Sequence, residues 1–143
     1  MTKEEKNTTP DEPTDQPKRV LLVDDDPEII EAIRLALEAE GYGILIARDG
    51  NQGLAMAERE DPDLVILDIG LPDMTGWEVL EALRASEASA GAKVMILSGY
   101  EDAHSEAKRL GADAALVKPF RNEELRSLAV ELAGPRLSEA SPA

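Results

Sequence analysis

Four short apolar runs of this chain are each followed by residues that could take part in phosphoryl chemistry. The runs and the residues that follow them are 20–23 with Asp24 and Asp25, 64–67 with Asp68, 94–97 with Ser98, and 114–117 with Lys118. If the runs are parallel strands, their carboxyl ends meet at one edge of a sheet. Carboxylates, a hydroxyl and an ammonium group in one crevice would suit the magnesium-assisted transfer of a phosphoryl group to an aspartate.

The aspartates that these runs bring to the sheet edge form a candidate magnesium site. Mg2+ prefers oxygen ligands and keeps several waters, so Asp24, Asp25 and Asp68 together offer more carboxylates than the ion needs. The backbone carbonyl of Gly70 could complete the set of ligands. Helix capping is the alternative interpretation of Asp24 and Asp25, and we assign capping alone to Asp26.

Three of the residues are candidates for the reaction itself. Asp68 is the candidate nucleophile, because a carboxylate can accept a phosphoryl group as an acyl phosphate; the alternative is an ordinary aspartate at the start of a loop. The Ser98 hydroxyl could donate to a phosphoryl oxygen, or only form a turn at the strand end. Lys118 could bridge the Asp68 carboxylate and the incoming phosphoryl charge, or be a surface lysine. Pro119 allows a cis peptide bond after Lys118.

The composition of the 143 residues disfavours several classes of partner. The formal charge of −15 disfavours nucleic acid and an anionic membrane surface, both of which require clustered Lys and Arg. The chain contains no cysteine, which excludes disulfides and fits a cytoplasmic location. No apolar stretch approaches ~18 residues, so we expect no membrane span, and the N-terminus lacks the apolar core of a signal peptide.

The pattern along the chain predicts one domain between two tails. Residues 1–18 are polar and acidic and are predicted to be a disordered tail, residues 19–133 to be the domain, and residues 134–143 a C-terminal tail. A further strand is predicted at 44–47, and helices from about residues 27, 52, 75, 102 and 122, with Asp26 and Asn122 as caps. The strand runs are continuously apolar, which is typical of a parallel sheet buried on both faces. We therefore predict a doubly wound α/β fold.

Four segments of the chain together resemble the receiver domain of two-component response regulators. The segments are LLVDDDPEI, DLVILDIGLPDMTGWEVL, VMILSGY and GADAALVKPF, and the resemblance covers about residues 18–133. It implies a flavodoxin-like fold, with a five-stranded parallel sheet of strand order 2-1-3-4-5 and five helices.

The resemblance also implies roles for the candidate residues. Asp68 matches the phosphoacceptor, and Asp24, Asp25 and the Gly70 carbonyl match the other protein ligands of Mg2+. Ser98 matches the switch hydroxyl, and Lys118 the lysine that normally precedes a cis proline. The phosphoryl donor would be a histidine kinase or a histidine phosphotransfer protein. The domain would catalyse only its own phosphorylation and dephosphorylation, without being an enzyme that acts on other substrates.

About ten residues follow the fifth predicted helix, so we expect a stand-alone receiver with no output domain. Its signal would pass to a downstream protein whose identity is unknown, through the face formed by the fourth helix, the fifth strand and the fifth helix, as in relatives. A piece of a longer regulator is the alternative.

Two departures from the family pattern leave alternatives open. The family usually has Tyr or Phe where this chain has Ala115, so a phosphorylation-independent pseudo-receiver and a phosphorelay intermediate both stay open. Positions that tune hydrolysis of the acyl phosphate are Gly70 and Tyr100, and we expect slow self-dephosphorylation with Tyr100 as a shield. A phosphatase with an aspartyl nucleophile is disfavoured, because Gly70 offers no second acid. We expect His104 to face solvent and Trp77 to pack near the site.

Overall fold

Five parallel strands form one sheet in the computed structural model, which describes residues 17–101 and 103–134. The strands are β1 (Arg19–Val23), β2 (Gly43–Ala47), β3 (Leu64–Asp68), β4 (Lys93–Ser98) and β5 (Ala114–Val117). Their order is β2-β1-β3-β4-β5, with every neighbouring pair parallel. The predicted fold class and strand order are confirmed.

Helices connect and cover the strands. They are α1 (Pro27–Glu38), α2 (Gly50–Glu60), α3 (Gly76–Ala85), α4 (Ala103–Leu110) and α5 (Asn122–Ala133). None of these helices is long and apolar enough to cross a membrane. The predicted tails lie outside the described residues over 1–16 and 135–143, as does Asp102, the predicted start of the fourth helix.

Two helix starts differ from the sequence prediction. α2 begins two residues early, at Gly50, because the Asp49 side chain accepts a hydrogen bond from Gln52 N and caps the helix there. Asn122 is the first residue of α5 and does not cap it. The side chain of Glu124 instead accepts from the backbone N–H of Arg121 at 3.1 Å. Capping by Asp26 was predicted correctly, since its carboxylate accepts from Glu28 N at 2.9 Å.

The sheet is buried on both faces, as the continuous apolar runs predicted. Along β1, Val20 and Leu22 belong to one core with residues of α1 and α5. Leu21 and Val23 belong to a second core with residues of α2, α3 and α4. Neighbouring strand residues point to opposite faces, so each run must be apolar throughout to fill both cores.

The start of α3 is pressed against the end of β3. A Cβ atom on Gly76 would lie 2.4 Å from the Asp68 carbonyl oxygen, so only glycine fits at this position. Thr75 and Glu78 close a capping box around the first turn, with N–H···O distances of 2.9 and 3.1 Å. The loop between β3 and α3 is therefore short and fixed at its base.

Arg84 joins α3 to two connections of the chain. Its guanidinium donates to the carbonyls of Ala90, Ala92 and Gly111 and to the carboxylate of Asp113. Asp113 also accepts from the backbone N–H of Val94 at 2.9 Å. One arginine thus satisfies backbone carbonyls on both sides of β4, which supports the strand that ends in Ser98.

We predict that Arg84→Ala destabilises the domain, because several carbonyls and the Asp113 carboxylate lose their donor. The free energy of unfolding in urea should fall by about 1–3 kcal/mol. Arg109→Ala is the matched control, since Arg109 forms an exposed ion pair with Glu106, and both residues lie on α4. It should leave unfolding unchanged, and equal effects of the two substitutions would contradict the prediction.

Candidate functional site

The predicted site residues meet at the carboxyl edge of the sheet. Lys118 Nζ donates to Asp68 Oδ1 at 2.8 Å. One carboxylate oxygen from each of Asp24, Asp25 and Asp68 lies within 4.8 Å of the others. A cleft of about 620 Å3 opens beside Asp68 and Lys118; its lining residues are Asp68, Ile69, Gly70, Thr75, Ser98, Gly99, Tyr100 and Lys118. The structure thus brings together every residue that the sequence nominated.

Strand register explains why these side chains converge. Val23 pairs with Leu67, so the residues that follow them, Asp24 and Asp68, lie side by side. β4 continues the edge, and Ser98 pairs with Val117 directly before Lys118. The site lies where the strand order reverses between β1 and β3, which is where ligands bind in open α/β sheets.

Asp24 is a buried carboxylate with one unused oxygen. Its Oδ1 accepts from Asp26 N at 2.9 Å, whereas Oδ2 has no hydrogen-bond partner among the described residues. Burial raises the pKa of Asp24 to about 6; the hydrogen bond from Asp26 opposes this shift, and the neighbouring charge of Asp68 adds to it. A buried, unpartnered oxygen beside two more carboxylates is costly without a counter-charge.

This donor set fits a divalent metal ion. All the offered atoms are oxygens, the ligands that hard cations such as Mg2+ take. A cation would give the free Asp24 oxygen a partner and offset the repulsion between the carboxylates. Asp24, Asp25 and Asp68 could therefore hold a metal ion here.

Asp68 and Lys118 form an ion pair that is shielded from solvent on the aspartate side. The Asp68 side chain is 9% exposed and that of Lys118 is 28% exposed. The Lys118–Pro119 peptide bond is cis, as the family resemblance implied. The pair keeps an ammonium group in contact with the candidate nucleophile.

Ser98 is buried, and its oxygen forms the turn that the sequence offered as the alternative. Its Oγ accepts from the backbone N–H of Tyr100 at 3.0 Å. This turn and a role in the site are compatible, because a hydroxyl that accepts a hydrogen bond still has its own proton to donate. A Cβ on Gly99 would meet no atom within 4 Å, so the space beside the hydroxyl is open.

The remaining singled-out residues lie as follows. Tyr100 is 71% exposed at the rim of the cleft. It also lines a neighbouring hollow of about 230 Å3 together with Trp77, which is half-buried. His104 is exposed, as predicted, and Ala115 is buried in the core that faces α3 and α4. Sequence reasoning passed over Asp73, whose partners lie more than twenty residues away on α2.

A family model described as "Response regulator receiver domain" matches residues 20–130. The chain belongs to the response regulator receiver family. Members of this family are signalling modules, and the acidic pocket of this receiver fits aspartate phosphorylation and Mg2+ binding.

Relatives and solved structures agree with this assignment. The receiver is 40% identical over 112 residues to the probable transcriptional regulatory protein TcrX of Mycobacterium tuberculosis, covering 77% of this chain and 47% of that protein. It thus spans about half the length of the curated relatives it matches. A CheY-like receiver domain protein from Methanospirillum hungatei superimposes with a TM-score of 0.74 at 36% identity, covering 81% and 93% of the two chains. The response regulator TrrA from Thermotoga maritima, solved in complex with Mg(2+)-BeF, superimposes with a TM-score of 0.73 at 36% identity. The match covers 80% of this chain and 98% of that chain.

We predict that Asp24→Asn stabilises the metal-free receiver at neutral pH. The folded pKa of Asp24 lies above that of the unfolded chain, so this group's contribution to stability is lost as the pH rises from about 4 through about 6. Asparagine carries no charge and avoids that loss. The free energy of unfolding in urea without divalent ions should rise by about 1–3 kcal/mol at pH 7.

Asp25→Asn is the matched comparison, because Asp25 is exposed whereas Asp24 is buried. It should stabilise the metal-free receiver less, and both variants should respond less to added Mg2+ than the wild type does. A metal-free Asp24→Asn receiver no more stable than the wild type would contradict this account of the buried carboxylate.

Proposed function

We propose that this receiver accepts a phosphoryl group on Asp68 from a phosphohistidine, with Mg2+ bound, and passes the signal to a protein partner. The donor would be a histidine kinase or a histidine phosphotransfer protein. The observation that carries the proposal is the environment of Asp68. Its carboxylate lies 2.8 Å from the Lys118 ammonium on one side and within 4.8 Å of the Asp24 and Asp25 carboxylates on the other.

The proposed reaction requires little covalent chemistry from the protein. An oxygen of ionised Asp68 forms a bond to phosphorus while the phosphorus–nitrogen bond to the donor imidazole breaks, and the electron pair returns to the imidazole nitrogen. Mg2+, when bound by Asp24, Asp25, Asp68 and the Gly70 carbonyl, would neutralise charge on the phosphoryl oxygens and keep Asp68 ionised.

Lys118 and Ser98 would receive the new phosphoryl group. The Lys118 ammonium is already at hydrogen-bond distance from Asp68, so it can move to a phosphoryl oxygen without a large displacement. Among the described residues the buried Ser98 hydroxyl donates to no acceptor, and the space beside Gly99 is open. Donation from Ser98 to the phosphoryl group would couple phosphorylation to residues 99–101, which follow β4.

We propose two routes for the downstream step, direct signalling to a partner protein and a phosphorelay, and weigh them against one alternative that uses no phosphate. Signalling would use the face of α4, β5 and α5, where Ala115 occupies the usual position of an aromatic residue. A phosphorelay intermediate needs an intact acceptor site and little conformational change. The absence of an aromatic residue at Ala115 fits this role as well as it fits a pseudo-receiver. A pseudo-receiver that never uses phosphate is the second candidate, and the complete acceptor constellation around Asp68 argues against it.

We predict that the wild-type receiver gains the mass of one phosphoryl group when it is incubated with Mg2+ and acetyl phosphate. Asp68→Ala should gain none, because the accepting carboxylate is gone. Intact-protein mass spectrometry before and after incubation measures both. Asp26→Asn is the matched control, since asparagine caps a helix as well as aspartate does and Asp68 remains.

Phosphate retained by Asp68→Ala would overturn the assignment of the acceptor. The Asp26→Asn protein should gain the same mass as the wild type. If neither protein gains mass, the result would favour the pseudo-receiver.

We predict that Tyr100→Ser shortens the lifetime of the acyl phosphate severalfold. Tyr100 lies at the rim of the cleft that contains Asp68, where a phenol ring can hinder the approach of water. Loss of bound phosphate is followed by mass spectrometry after the phosphodonor is removed. Glu101→Gln is the control, because Glu101 is exposed and lines a different groove. An unchanged lifetime in Tyr100→Ser would remove the shielding role.

A further inference from the structure

The loop between β3 and α3, residues 69–75, is tied at its tip to the start of α2. Asp73 Oδ1 accepts from the backbone N–H of Gly50 at 2.7 Å, and Oδ2 accepts from Asn51 at 2.9 Å. These bonds from Gly50 and Asn51 hold the pKa of Asp73 below its usual value. One carboxylate therefore connects two parts of the chain that are more than twenty residues apart.

The start of α2 is capped by two separate carboxylates. The helix's own cap, Asp49, accepts from Gln52 N at 2.8 Å through its side chain and from Gly53 N at 3.0 Å through its carbonyl. Asp73 accepts from the two earlier N–H groups. The first four N–H groups of the helix are thus all satisfied, and half of them depend on a residue of another loop. This division lets the loop contact be removed while the helix keeps its own cap.

The base of the same loop is fixed by backbone contacts that leave one carbonyl free. The Ile69 carbonyl accepts from Gly76 N at 2.8 Å and from Leu71 N at 3.2 Å. Gly70 faces Thr75 across an antiparallel bridge. Within residues 17–101 and 103–134, no N–H donates to the Gly70 carbonyl. That oxygen remains available for a metal ion, and its position depends on how the loop is held.

The loop tip also packs closely on α2. A Cβ atom on Gly50 would lie 2.4 Å from Met74 Cγ and 2.6 Å from its sulfur, so Met74 sits directly over the helix start. The loop therefore has two anchors, the backbone contacts at its base and the Asp73 contacts at its tip. Gly70 lies between them and has no side chain that could hold it in place.

We propose that Asp73 is a positioning residue for the metal site, because it fastens the loop to α2 and so holds the Gly70 carbonyl where Mg2+ can use it. The proposal rests on the proposed function, in which that carbonyl is a ligand. Asp73 would touch neither metal nor phosphate. Partners of this kind orient ligands before binding, so that less ordering is required when the ion arrives.

The experiment compares Asp73→Ala with Asp49→Ala in the full chain. Each variant removes one carboxylate from the same end of α2, but only Asp73 also holds the loop. Mg2+ binding is measured by titration calorimetry of the metal-free proteins, and phosphorylation by acetyl phosphate is followed across a range of Mg2+ concentrations. Urea unfolding without metal reports the loss of helix capping in each variant.

We expect Asp73→Ala to bind Mg2+ about tenfold more weakly than the wild type. The Mg2+ concentration that gives half of the maximal phosphorylation rate should rise in proportion, while the rate at saturating Mg2+ returns close to that of the wild type. Asp49→Ala should lose stability and keep the wild-type affinity for Mg2+. Asp73→Asn, which retains one acceptor oxygen, should lie between the wild type and Asp73→Ala.

Equal Mg2+ affinity in Asp73→Ala and Asp49→Ala would overturn the positioning role and leave the proposed function intact. A lower rate at saturating Mg2+ without a change in affinity would overturn it as well. Failure of the wild type itself to bind Mg2+ would overturn the proposed function, and the positioning role with it.

Discussion

The main constraint on this receiver is the concentration of negative charge at one edge of its buried sheet. Three carboxylates offer oxygens within 4.8 Å of each other, and one ammonium, that of Lys118, faces them. Asp24 shows the consequence, because its buried Oδ2 has no partner among the described residues and its pKa is raised to about 6. Such a site is incomplete until positive charge enters it, which connects metal binding to the stability of the empty receiver.

The sheet can bear this charge because its geometry leaves the aspartates little freedom to separate. Asp24 and Asp68 continue strands that are paired in register and packed between two aliphatic cores. Moving either carboxylate away would disturb the strand pairing or the close packing of the two cores. The ends of the strands therefore position the Asp24 and Asp68 carboxylates, and the loops position the other groups of the site.

Those loops are held by individual polar contacts and single glycines. Gly76 lets α3 begin against the Asp68 carbonyl, and Asp73 connects the loop tip to α2. The Ser98 oxygen accepts from the backbone N–H of Tyr100, which forms the turn at the end of β4. The Asp73 and Ser98 contacts lie outside the strand pairing, so they position the site without contributing to the sheet itself.

The pattern of residues along the chain predicted the strands, most helix positions and the side chains that meet at the sheet edge. Continuous apolar runs require two buried faces, and the residues directly after such runs must reach the same edge of a parallel sheet. Asp24, Asp25, Asp68, Ser98 and Lys118 could be nominated on that basis. Strand order came from the family resemblance, because periodicity describes each strand alone and does not specify its neighbours.

Contacts between residues distant along the chain could not be predicted in this way and are seen only in the folded domain. The carbonyls that Arg84 binds, the α2 N–H groups that Asp73 accepts and the unpartnered Asp24 oxygen depend on how loops from different strands meet. The Asp73 contacts add to the local cap of Asp49 at the start of α2, because they satisfy the first two N–H groups from outside the helix. The residues next to each of these groups in the sequence do not indicate its partner, because the partner becomes a neighbour only when the sheet forms and brings the two loops together.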